Sequence, residues 1–422
     1  MSNSSPSTPL TIDDRSAPAA HPTRVESNQP GTASRADVPR FQQIALAFPR
    51  GAHQEHFIEG VTRYASEKGL CWSFTVAPES LALSVLDLVE WPGDGVLAAI
   101  NTPVEAACAA EMSIPVVNIS STLAESPVPR AMVDNLAIGK LAAEHLLSRG
   151  FTNFAFYGLS DVEYSRQRWI GFSERLAQND ATCERHLSTP TFGFRGTVWL
   201  EQHQQISTWL QQLPTPCGVF AVSDYRARHV LDACRQYGLS TPDQIAVLGV
   251  DNEQVICEHV HPTLSSVSRN DQLEGYRAAE MLDRLLRGEE LSDRDAFVPP
   301  LEVVERDSTA TFAVTDERLR RALSYLHDYI ADPITVDELA RQSEVSRRWL
   351  EYAFRDVLGE TPYQYLRRQR LLLAKHLLKE DPKQSISRIA QRAGFSSVKQ
   401  MRVAFQREFG VTPGHFRQVM NQ

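Results

Sequence analysis

Few cysteines and no long apolar runs are present in this sequence of 422 residues. The cysteines lack paired spacing, so we interpret them as buried, reduced thiols and not as a zinc site or a disulfide framework. They are Cys71, Cys108, Cys183, Cys217, Cys234 and Cys257. No segment approaches the ~18 continuous apolar residues of a membrane span. A basic start followed by an apolar run is also missing, so we expect a cytoplasmic protein without a signal peptide.

The short motifs of nucleotide-binding and hydrolytic enzymes are absent as well. The segment PRGAHQEHF from Pro49, after the first predicted strand, has neither a GxGxxG pattern nor a GK[ST] ending. The sequence also lacks GxSxG, HExxH and metal-spaced histidine clusters. We therefore predict no catalytic residues, no cofactor and no metal site, and we interpret the protein as something other than an enzyme.

Charge is distributed unevenly along the chain. The formal net charge is -9, yet residues 316–422 contain 19 basic and 13 acidic residues. That segment therefore carries +6, and the rest of the chain carries -15. A basic terminal module often binds nucleic acid, although a solvated helical face of mixed charge gives the same count.

The length and the 42% hydrophobic content suffice for two or three domains with separate cores. Residues 1–40 are rich in Ser, Thr, Pro and Ala, and they are predicted to form a disordered tail. Residues 41–308 are predicted to form one α/β domain, residues 309–316 a linker, and residues 317–422 an all-α domain.

Short β-branched or aromatic runs alternate with helical stretches through residues 41–308, as in parallel sheets joined by crossover helices. The runs are IALAF from Ile44, GVLAAI from Gly95, PVVNIS from Pro115, FAFYGL from Phe154, GVFAVSD from Gly218 and IAVLGVD from Ile245. Asp224 and Asp251 follow two of these runs, and open sheets bind ligands at the carboxyl ends of their strands. Either aspartate alone is equally well a helix cap, but the pair favours a polar ligand with hydroxyl groups.

The block VDNLAIGKLAAEHLLSRGFTNFAFYG, residues 133–158, resembles LacI-type regulators and periplasmic sugar-binding proteins. The supporting blocks are DGVLAA from Asp94, RWIGF from Arg168, AVSDYRARHVL from Ala221, LGVDNE from Leu248 and TLSSVS from Thr263. The resemblance implies a two-lobed α/β sensor domain, of the periplasmic-binding-protein type, that closes on a sugar.

The same resemblance implies a set of sugar contacts. They are Arg168, Trp199, Asp224 and Asp251, with Ser223, Asn252 and Arg269 as additional contacts. Arg168 is implied to reach sugar hydroxyls, and Trp199 to pack on the apolar face of the ring. The alternatives are a surface salt bridge for Arg168 and a core position for Trp199. Ser223 stands where many relatives have Asn.

Residues 317–422 read as helices with capping residues and short breaks. The segment TVDELARQSEVSRRWLEYAFRDVLG from Thr335 predicts two helices packed across a tight turn. The pattern returns in SISRIAQRAGFSSVKQMRVAFQREFGVTP from Ser385, which indicates a repeated helix-turn-helix. Between them, Pro362–Glu380 is predicted as one helix of about 28 Å, near the ~34 Å of a DNA turn.

ELARQSEVS with FRDVLGETP, and IAQRAGFSS with FQREFGVTP, resemble the two halves of the AraC-type DNA-binding domain. An oligomerisation bundle of helices is the alternative. The resemblance implies DNA contacts on two recognition helices: Arg347, Arg348, Glu351, Tyr352 and Arg355 on the first, and Val398, Lys399, Gln400 and Arg402 on the second. Arginine pairs with guanine edges, and lysine serves bases or phosphates.

The order of a LacI-type sensor domain followed by an AraC-type DNA-binding domain is similar to that of bacterial regulators of sugar-use genes. The closest likeness lies in FAFYGL, DYRARHVL, LGVDNE and LSSV. The similarity implies D-xylose or a related sugar as effector, double-stranded DNA as partner, a homodimer located at the nucleoid when DNA-bound, and activation of xylose-use genes. Another pentose or hexose is an open alternative, as is repression. A binding protein for sugar transport would need export, which the expected lack of a signal peptide opposes.

Overall fold

Two sheets and a separate group of helices make up the computed structural model, which describes residues 41–48, 52–76, 83–190, 198–314, 316–380 and 384–420. The strands are β1 (Gln42–Ala47), β2 (Trp72–Val76), β3 (Gly95–Ala98), β4 (Val116–Asn118), β5 (Arg130–Val133), β6 (Asn153–Leu159), β7 (Cys183–Ser188), β8 (Cys217–Ala221), β9 (Ile245–Asp251), β10 (Ser265–Ser268), β11 (Asp295–Val298) and β12 (Val303–Val304). The predicted tail, residues 1–40, lies outside the described residues.

Short 3₁₀ turns at Val85–Leu88 and Asp307–Thr309 accompany the α-helices. The helices are α1 (Ala52–Glu67), α2 (Pro103–Glu111), α3 (Asn135–Ser148), α4 (Glu163–Ala177), α5 (Val198–Leu210), α6 (Asp224–Tyr237), α7 (Gln254–Cys257), α8 (Asp271–Leu286), α9 (Glu317–Asp328), α10 (Val336–Gln342), α11 (Arg347–Leu358), α12 (Pro362–Glu380), α13 (Ile386–Arg392), α14 (Val398–Phe409) and α15 (Pro413–Met420). Among the helices described, none is long and apolar enough to cross a membrane.

Each lobe of the α/β region contains one six-stranded sheet. The first has the order β11-β5-β4-β3-β1-β2, and the second has the order β12-β10-β9-β8-β6-β7. The strand pairs are parallel except for β10 with β12. Every residue of β3 and β8 is buried, because helices cover both faces of a parallel sheet. The α/β fold class predicted from the alternating runs is confirmed.

The chain crosses between the lobes three times: from β5 into α3, from β10 into α8, and from β11 into β12. Asn135 and Arg269 lie at two of these crossings. Residues at such connections move least when two lobes close, so they suit a site shared by both lobes.

Helices α3 and α4 pack backbone to backbone at two glycines. A Cβ on Gly139 would lie 2.2 Å from the carbonyl oxygen of Arg168, and a Cβ on Gly171 would lie 2.1 Å from that of Leu136. No larger residue fits without separating the helices. This close approach fixes the backbone of Arg168 against α3.

The helical region contains two helix-turn-helix units, α10 with α11 and α13 with α14. Helix α12 has the bounds predicted from the sequence, and it is shared by both units. Its Tyr365 and Leu366 belong to the core of the first unit, and Leu371 and Leu378 belong to the core of the second. One rigid helix therefore joins the two units.

All six cysteines are free thiols. Cys217, Cys234 and Cys257 are buried as predicted, whereas Cys71 is exposed and Cys108 and Cys183 are half-buried. The prediction of burial was therefore wrong for three of them. The described ranges contain no group of three His, Cys, Asp or Glu side chains placed to hold a metal ion.

Candidate ligand cleft and nucleic-acid interface

A cavity of about 1060 Å³ opens between the two lobes of the α/β region. The first lobe lines it with Leu46 near the end of β1, with Phe48 directly after β1, and with the first turns of α1. The second lobe lines it with residues 251–255 after β9 and 268–272 after β10. These segments follow the carboxyl ends of parallel strands, where open α/β sheets bind ligands.

Asp251 lies in this cavity between two arginines. Its Oδ1 atom is 3.8 Å from Nη2 of Arg168 and 3.7 Å from Nη1 of Arg269. Both distances exceed that of a direct hydrogen bond, and the Asp251 side chain, which lines the cavity, is 16% exposed. The carboxylate is therefore electrostatically held, yet it has room to accept hydrogen bonds from a ligand.

The backbone at Asp251 is strained. Asp251 has a φ of 109° and Asn252 a φ of 53°, both in the region that favours glycine. Two hydrogen bonds hold the turn: Asn252 N–H donates to Ser266 Oγ at 2.9 Å, and Glu253 N–H donates to Asp224 Oδ2 at 2.8 Å. Strain of this kind concentrates at functional sites, where the surroundings enforce it.

Arg168 is buried directly behind Asp251, with 3% of its surface exposed. Its Nε donates to Asn135 Oδ1 at 2.8 Å, Nη1 donates to the carbonyl of Val222, and the guanidinium lies 5.1 Å from the Tyr164 ring centre. Burial lowers the pKa of Arg168 below its ordinary value, and the charge of Asp251 opposes that shift. The side chain is fixed in orientation and pairs loosely with Asp251.

Arg269 lines the cavity at the crossing from β10 into α8. It forms ion pairs with Asp271 at 2.9 Å and Glu274 at 2.8 Å, and both of these carboxylates are buried. Burial alone lowers the pKa of Arg269, but the carboxylates of Asp271, Glu274 and Asp251 raise it above its ordinary value. A permanently charged guanidinium is thereby held at the hinge.

Asp224, predicted to bind the ligand, does not line the cavity. It is 1% exposed, and its two oxygens accept hydrogen bonds from Ser266 Oγ at 2.6 Å, Glu253 N–H at 2.8 Å and Cys257 Sγ at 3.3 Å. Burial, reinforced by the charge of Asp251, raises the pKa of Asp224 to about 7. The structure places Asp224 behind the strained turn that presents Asp251.

This raised pKa makes the stability of the sensor depend on pH. The stabilisation from protonated Asp224 is fully present below the ordinary pKa of 3.8 and is lost as pH rises through about 7. Asp224→Asn mimics the neutral acid and does not titrate. We expect the free energy of unfolding of the variant, relative to that of the parent, to increase between about pH 4 and pH 7, measured by urea denaturation. Parallel pH profiles for the two proteins would contradict this role.

The remaining predicted contacts differ in placement. Asn252 lines the cavity, and its Oδ1 accepts a hydrogen bond from Arg306 at 2.9 Å. Ser223 caps α6 by accepting from Arg226 N–H at 3.3 Å. Trp199 belongs to α5, but its side chain lies outside the described residues. The structure thus brings Asp251, Asn252 and Arg269 together, with Arg168 behind them.

The sequence analysis missed four residues that hold these contacts: Asn135, Tyr164, Asp271 and Glu274. A signal existed for three of them. Asp271 and Glu274 follow Arg269 in the motif RNDQLE, which places two carboxylates close to this arginine along the chain. Tyr164 lies four residues before Arg168 on α4, a spacing that makes two helical residues neighbours. Asn135 is brought to Arg168 by packing of α3 against α4.

The first predicted recognition helix, α11, begins after Ser346, whose Oγ caps the N–H of Trp349. Arg348, Tyr352 and Arg355 are exposed on it, with 66% of Tyr352 accessible. Arg347 is exposed too, and it forms ion pairs with Asp337 at 3.1 Å and Glu351 at 3.0 Å. These pairs hold its guanidinium on the surface of the unit.

The second predicted recognition helix, α14, exposes Lys399, Gln400 and Arg402. Gln400 Oε1 accepts from Ser396 Oγ at 2.7 Å, so it also stabilises the start of the helix. Val398 is half-buried against the core of the second unit. Its position limits it to edge contacts with a partner surface.

Val403 is an exposed residue on α14 that the sequence analysis missed. In the repeat, Leu350 corresponds to Met401 as a fully buried residue, so Tyr352 corresponds to Val403. The exposed fraction of Val403 is 62%, close to that of Tyr352. Aligning the two halves of the repeat would have revealed it. Helices α11 and α14 thus expose Tyr352 and Val403 at the same position of the repeat.

A two-lobed α/β domain with a polar interlobe cleft, joined to two helix-turn-helix units, defines a ligand-responsive DNA-binding regulator. Comparison with known families agrees with this class. Residues 143–309 match the periplasmic binding protein-like domain family, and residues 339–419 match a helix-turn-helix domain family.

Individual relatives narrow the class. The xylose operon regulatory protein of Escherichia coli (strain K12) is 31% identical over 387 residues, covering 90% of this chain and 98% of the relative. That of Haemophilus influenzae is 29% identical, with the same coverage. A solved structure of the xylose-binding transcription activator xylR matches with a TM-score of 0.58 at 30% identity, covering 90% of this chain and 98% of that one.

The chain belongs to the family of xylose operon regulatory proteins. The members compared are transcription regulators, so the chain is a regulator and not an enzyme.

Proposed function

We propose that this chain binds D-xylose in the cleft between its lobes and activates genes for xylose use through its helix-turn-helix units. The observation that carries the proposal is Asp251, presented on a strained turn into the cleft and flanked by the guanidinium groups of Arg168 and Arg269. The relationship to xylose operon regulatory proteins supports D-xylose as the sugar.

The chemistry of the cleft suits neighbouring hydroxyl groups. Two neighbouring sugar hydroxyls donate to the Asp251 carboxylate, and one of them also accepts from Arg168 or Arg269. Its oxygen lies beside each carboxylate–guanidinium pair, because the separations of 3.8 and 3.7 Å leave no room for an atom between the two groups. Asn252 offers a further amide contact at the same wall. Trp199 is proposed to pack on the apolar face of the ring. Asp224 and Ser223 act indirectly, by holding the backbone that presents the contacts.

Sugar binding controls DNA binding only if the open and closed arrangements of the lobes have different affinities for the sugar. Contacts to Asp251 and Arg269 come from the second lobe and the hinge, whereas Leu46 and Phe48 come from the first. A sugar that touches both walls therefore favours the closed arrangement. Closure about the three crossings then repositions the helix-turn-helix units.

A calorimetric titration of the full chain with D-xylose tests the effector. Binding of xylose, with weaker or no binding of ribose, arabinose and glucose, is the expected result. A preference for one of the other three sugars would keep the sensor and change its ligand. Absence of heat with all four would contradict the proposal.

We further propose that the protein is a homodimer that acts in the cytoplasm and is located at the nucleoid when bound to DNA. Each chain carries two recognition helices joined by the rigid α12, so a dimer presents four to consecutive turns of DNA. Sedimentation of the chain with and without xylose tests the dimer. A monomer under both conditions would contradict it.

Arg348→Ala tests the reading of bases. Arg348 is exposed on α11, and a bidentate contact to guanine contributes about 1 to 3 kcal/mol of discrimination. We expect the variant to lose that amount on promoter DNA and less on random DNA, measured by fluorescence anisotropy. Arg277→Ala, which removes an exposed arginine from the sensor, is the control and should bind as the parent does. Equal losses on both DNAs would indicate a phosphate contact instead.

A further inference from the structure

Helix α3 connects the ligand cleft with the DNA-binding region. It begins at Asn135, which accepts the hydrogen bond from Arg168 at 2.8 Å, and it ends at Ser148, next to Arg149. The helix has 14 residues, which at about 1.5 Å per residue makes a rod of about 21 Å. Because Gly139 rests on the backbone carbonyl of Arg168, a shift of Arg168 moves α3 as a body.

Arg149, at the far end of α3, is buried against the segment that leads into the helical region. It is 7% exposed, forms an ion pair with Glu305, and its guanidinium lies 4.9 Å from the centre of the Phe312 ring. Its backbone carbonyl accepts a hydrogen bond from Ala313 N–H at 2.9 Å. A buried arginine on a surface shared by two domains is costly unless these partners are present.

The predicted linker, residues 309–316, is therefore not a loose connection where it is described. Phe312 and Val314 are buried in the core of the first helix-turn-helix unit. Thr309 Oγ1 is 2.9 Å from Nε2 of His145, one turn before Arg149 on α3. The linker is held on both sides.

Helices α9 and α12 lie beside the Arg149 side chain. A small cavity is lined by Arg149 and six residues of α9, α12 and the turn after α9: Leu326, His327, Ile330, Tyr365, Leu366 and Gln369. Because α12 joins both units, a movement of Arg149 acts on the helix that sets their spacing. A Cβ on the next residue, Gly150, would lie 3.4 Å from Leu358 at the end of α11.

Arg149 is the cation that pairs with Glu305 at this junction. Two histidines are near, but burial and the charge of Arg149 lower the pKa of His145 to about 3 and lower that of His327 as well. Both are neutral at neutral pH, although His327 lies 3.7 Å from Glu305. The ion pair of Arg149 and Glu305 joins the end of α3 to the segment after β12, within the α/β region, and it holds the Arg149 guanidinium next to Phe312 and the residues of α9 and α12.

We propose that Arg149 is a positioning residue through which α3 transmits the state of the ligand cleft to the helix-turn-helix units. This transmission rests on the proposed sugar-sensing function. Arg149 and Phe312 also hold the helical region on the sensor, and this second role does not rest on the sugar-sensing function.

Arg149→Met tests both parts, because methionine keeps the apolar bulk and removes the cation. Glu305→Gln is the second variant, and it removes the charge from the other side. Arg175→Met is the matched control, since Arg175 forms an ion pair with Glu144 of α3 at 3.2 Å on the surface. For each full-length chain, the ratio of DNA dissociation constants without and with D-xylose is measured, together with the xylose dissociation constant and the rate of chymotrypsin cleavage after Phe312.

We expect Arg149→Met and Glu305→Gln to bind xylose as the parent does, while their DNA ratio falls toward one and cleavage after Phe312 becomes several-fold faster. Arg175→Met should match the parent in all three measurements. Parental cleavage and a parental ratio in Arg149→Met would overturn the proposal. If the parent itself shows no xylose effect, the sugar-sensing function fails, and with it the transmission. In that case the rate of cleavage after Phe312 alone tests the positioning role of Arg149. A rate in Arg149→Met equal to that of the parent would overturn this role.

Discussion

Replacing Asp251 by alanine is expected to raise the dissociation constant for D-xylose about 100-fold. The carboxylate is placed to accept two hydrogen bonds from sugar hydroxyls, and a hydrogen bond to a charged group contributes about 1.5 to 3 kcal/mol. Losing two of them removes ~3 kcal/mol, which corresponds to about two orders of magnitude in affinity. The variant also leaves Arg168 and Arg269 without the anion between them.

Calorimetry on the parent and three variants checks this result. Asp251→Asn should lie between the parent and the alanine variant, because an amide keeps one acceptor but not the charge. Asp232→Ala is the matched control, since Asp232 lies on the surface of the same lobe in ion pairs with Arg228 and Arg235. Its affinity should equal that of the parent. Xylose binding by Asp251→Ala at parental affinity would remove Asp251 from the site.

Gly139→Ala is expected to destabilise the sensor by about 3 kcal/mol, at the upper end of ordinary overpacking. The new Cβ would lie 2.2 Å from the carbonyl oxygen of Arg168. The nearest atoms all belong to the backbone of α4, so the clash cannot be relieved by the movement of a side chain. Helix propensity favours alanine by ~1 kcal/mol, so any loss measured comes from the contact. Displacing the Arg168 backbone should also weaken xylose binding about tenfold.

Urea denaturation of Gly139→Ala and of a control, Gly414→Ala, measures this effect. Gly414 lies in α15, and a Cβ there meets nothing within 4 Å. The control should be as stable as the parent or more so. A fully stable Gly139→Ala would mean that α3 and α4 are not in backbone contact, and the coupling of the cleft to α3 would lose its basis.

Sequence patterns located the elements that carry a clear local signal. Helix α12 was predicted with the bounds observed, because Pro362 begins it and an apolar stripe runs unbroken along it. Six of the twelve described strands were not among the predicted runs: β2, β5, β7, β10, β11 and β12. The sequence of β7, CERHLS, is polar because this strand lies at the end of its sheet and pairs only with β6. β5 has four residues and begins with Arg130, which binds Asp295 of β11.

At the candidate site, the sequence alone does not show which of two predicted carboxylates lines the cleft. Asp224 and Asp251 both follow strands, and that rule predicted both as ligand contacts. The rule identifies the correct edge of the sheet but not the side of the loop to which a side chain turns. Asp251 ends β9 and faces the cleft, whereas Asp224 begins α6 and faces the back of the turn at Asn252. Long-range packing decides which carboxylate meets the ligand.

The buried arginines were also only partly predictable. Arg168 and Arg269 were singled out by family resemblance, and their motifs alone do not show that both point at Asp251. Arg149 drew no attention, because a residue that ends a helix before glycine has the pattern of an ordinary exposed cap. Its burial depends on the linker and on α9 and α12, which lie far away in the sequence.

The central claim is that a sugar in the interlobe cleft controls DNA binding by the helix-turn-helix units. The most direct test is the affinity of the full chain for promoter DNA of a xylose-use gene, measured by fluorescence anisotropy with and without saturating D-xylose. A ratio of at least about tenfold is predicted, corresponding to a coupling free energy of ~1.4 kcal/mol. Equal affinities would contradict the account, because a ligand that binds both conformations equally shifts neither.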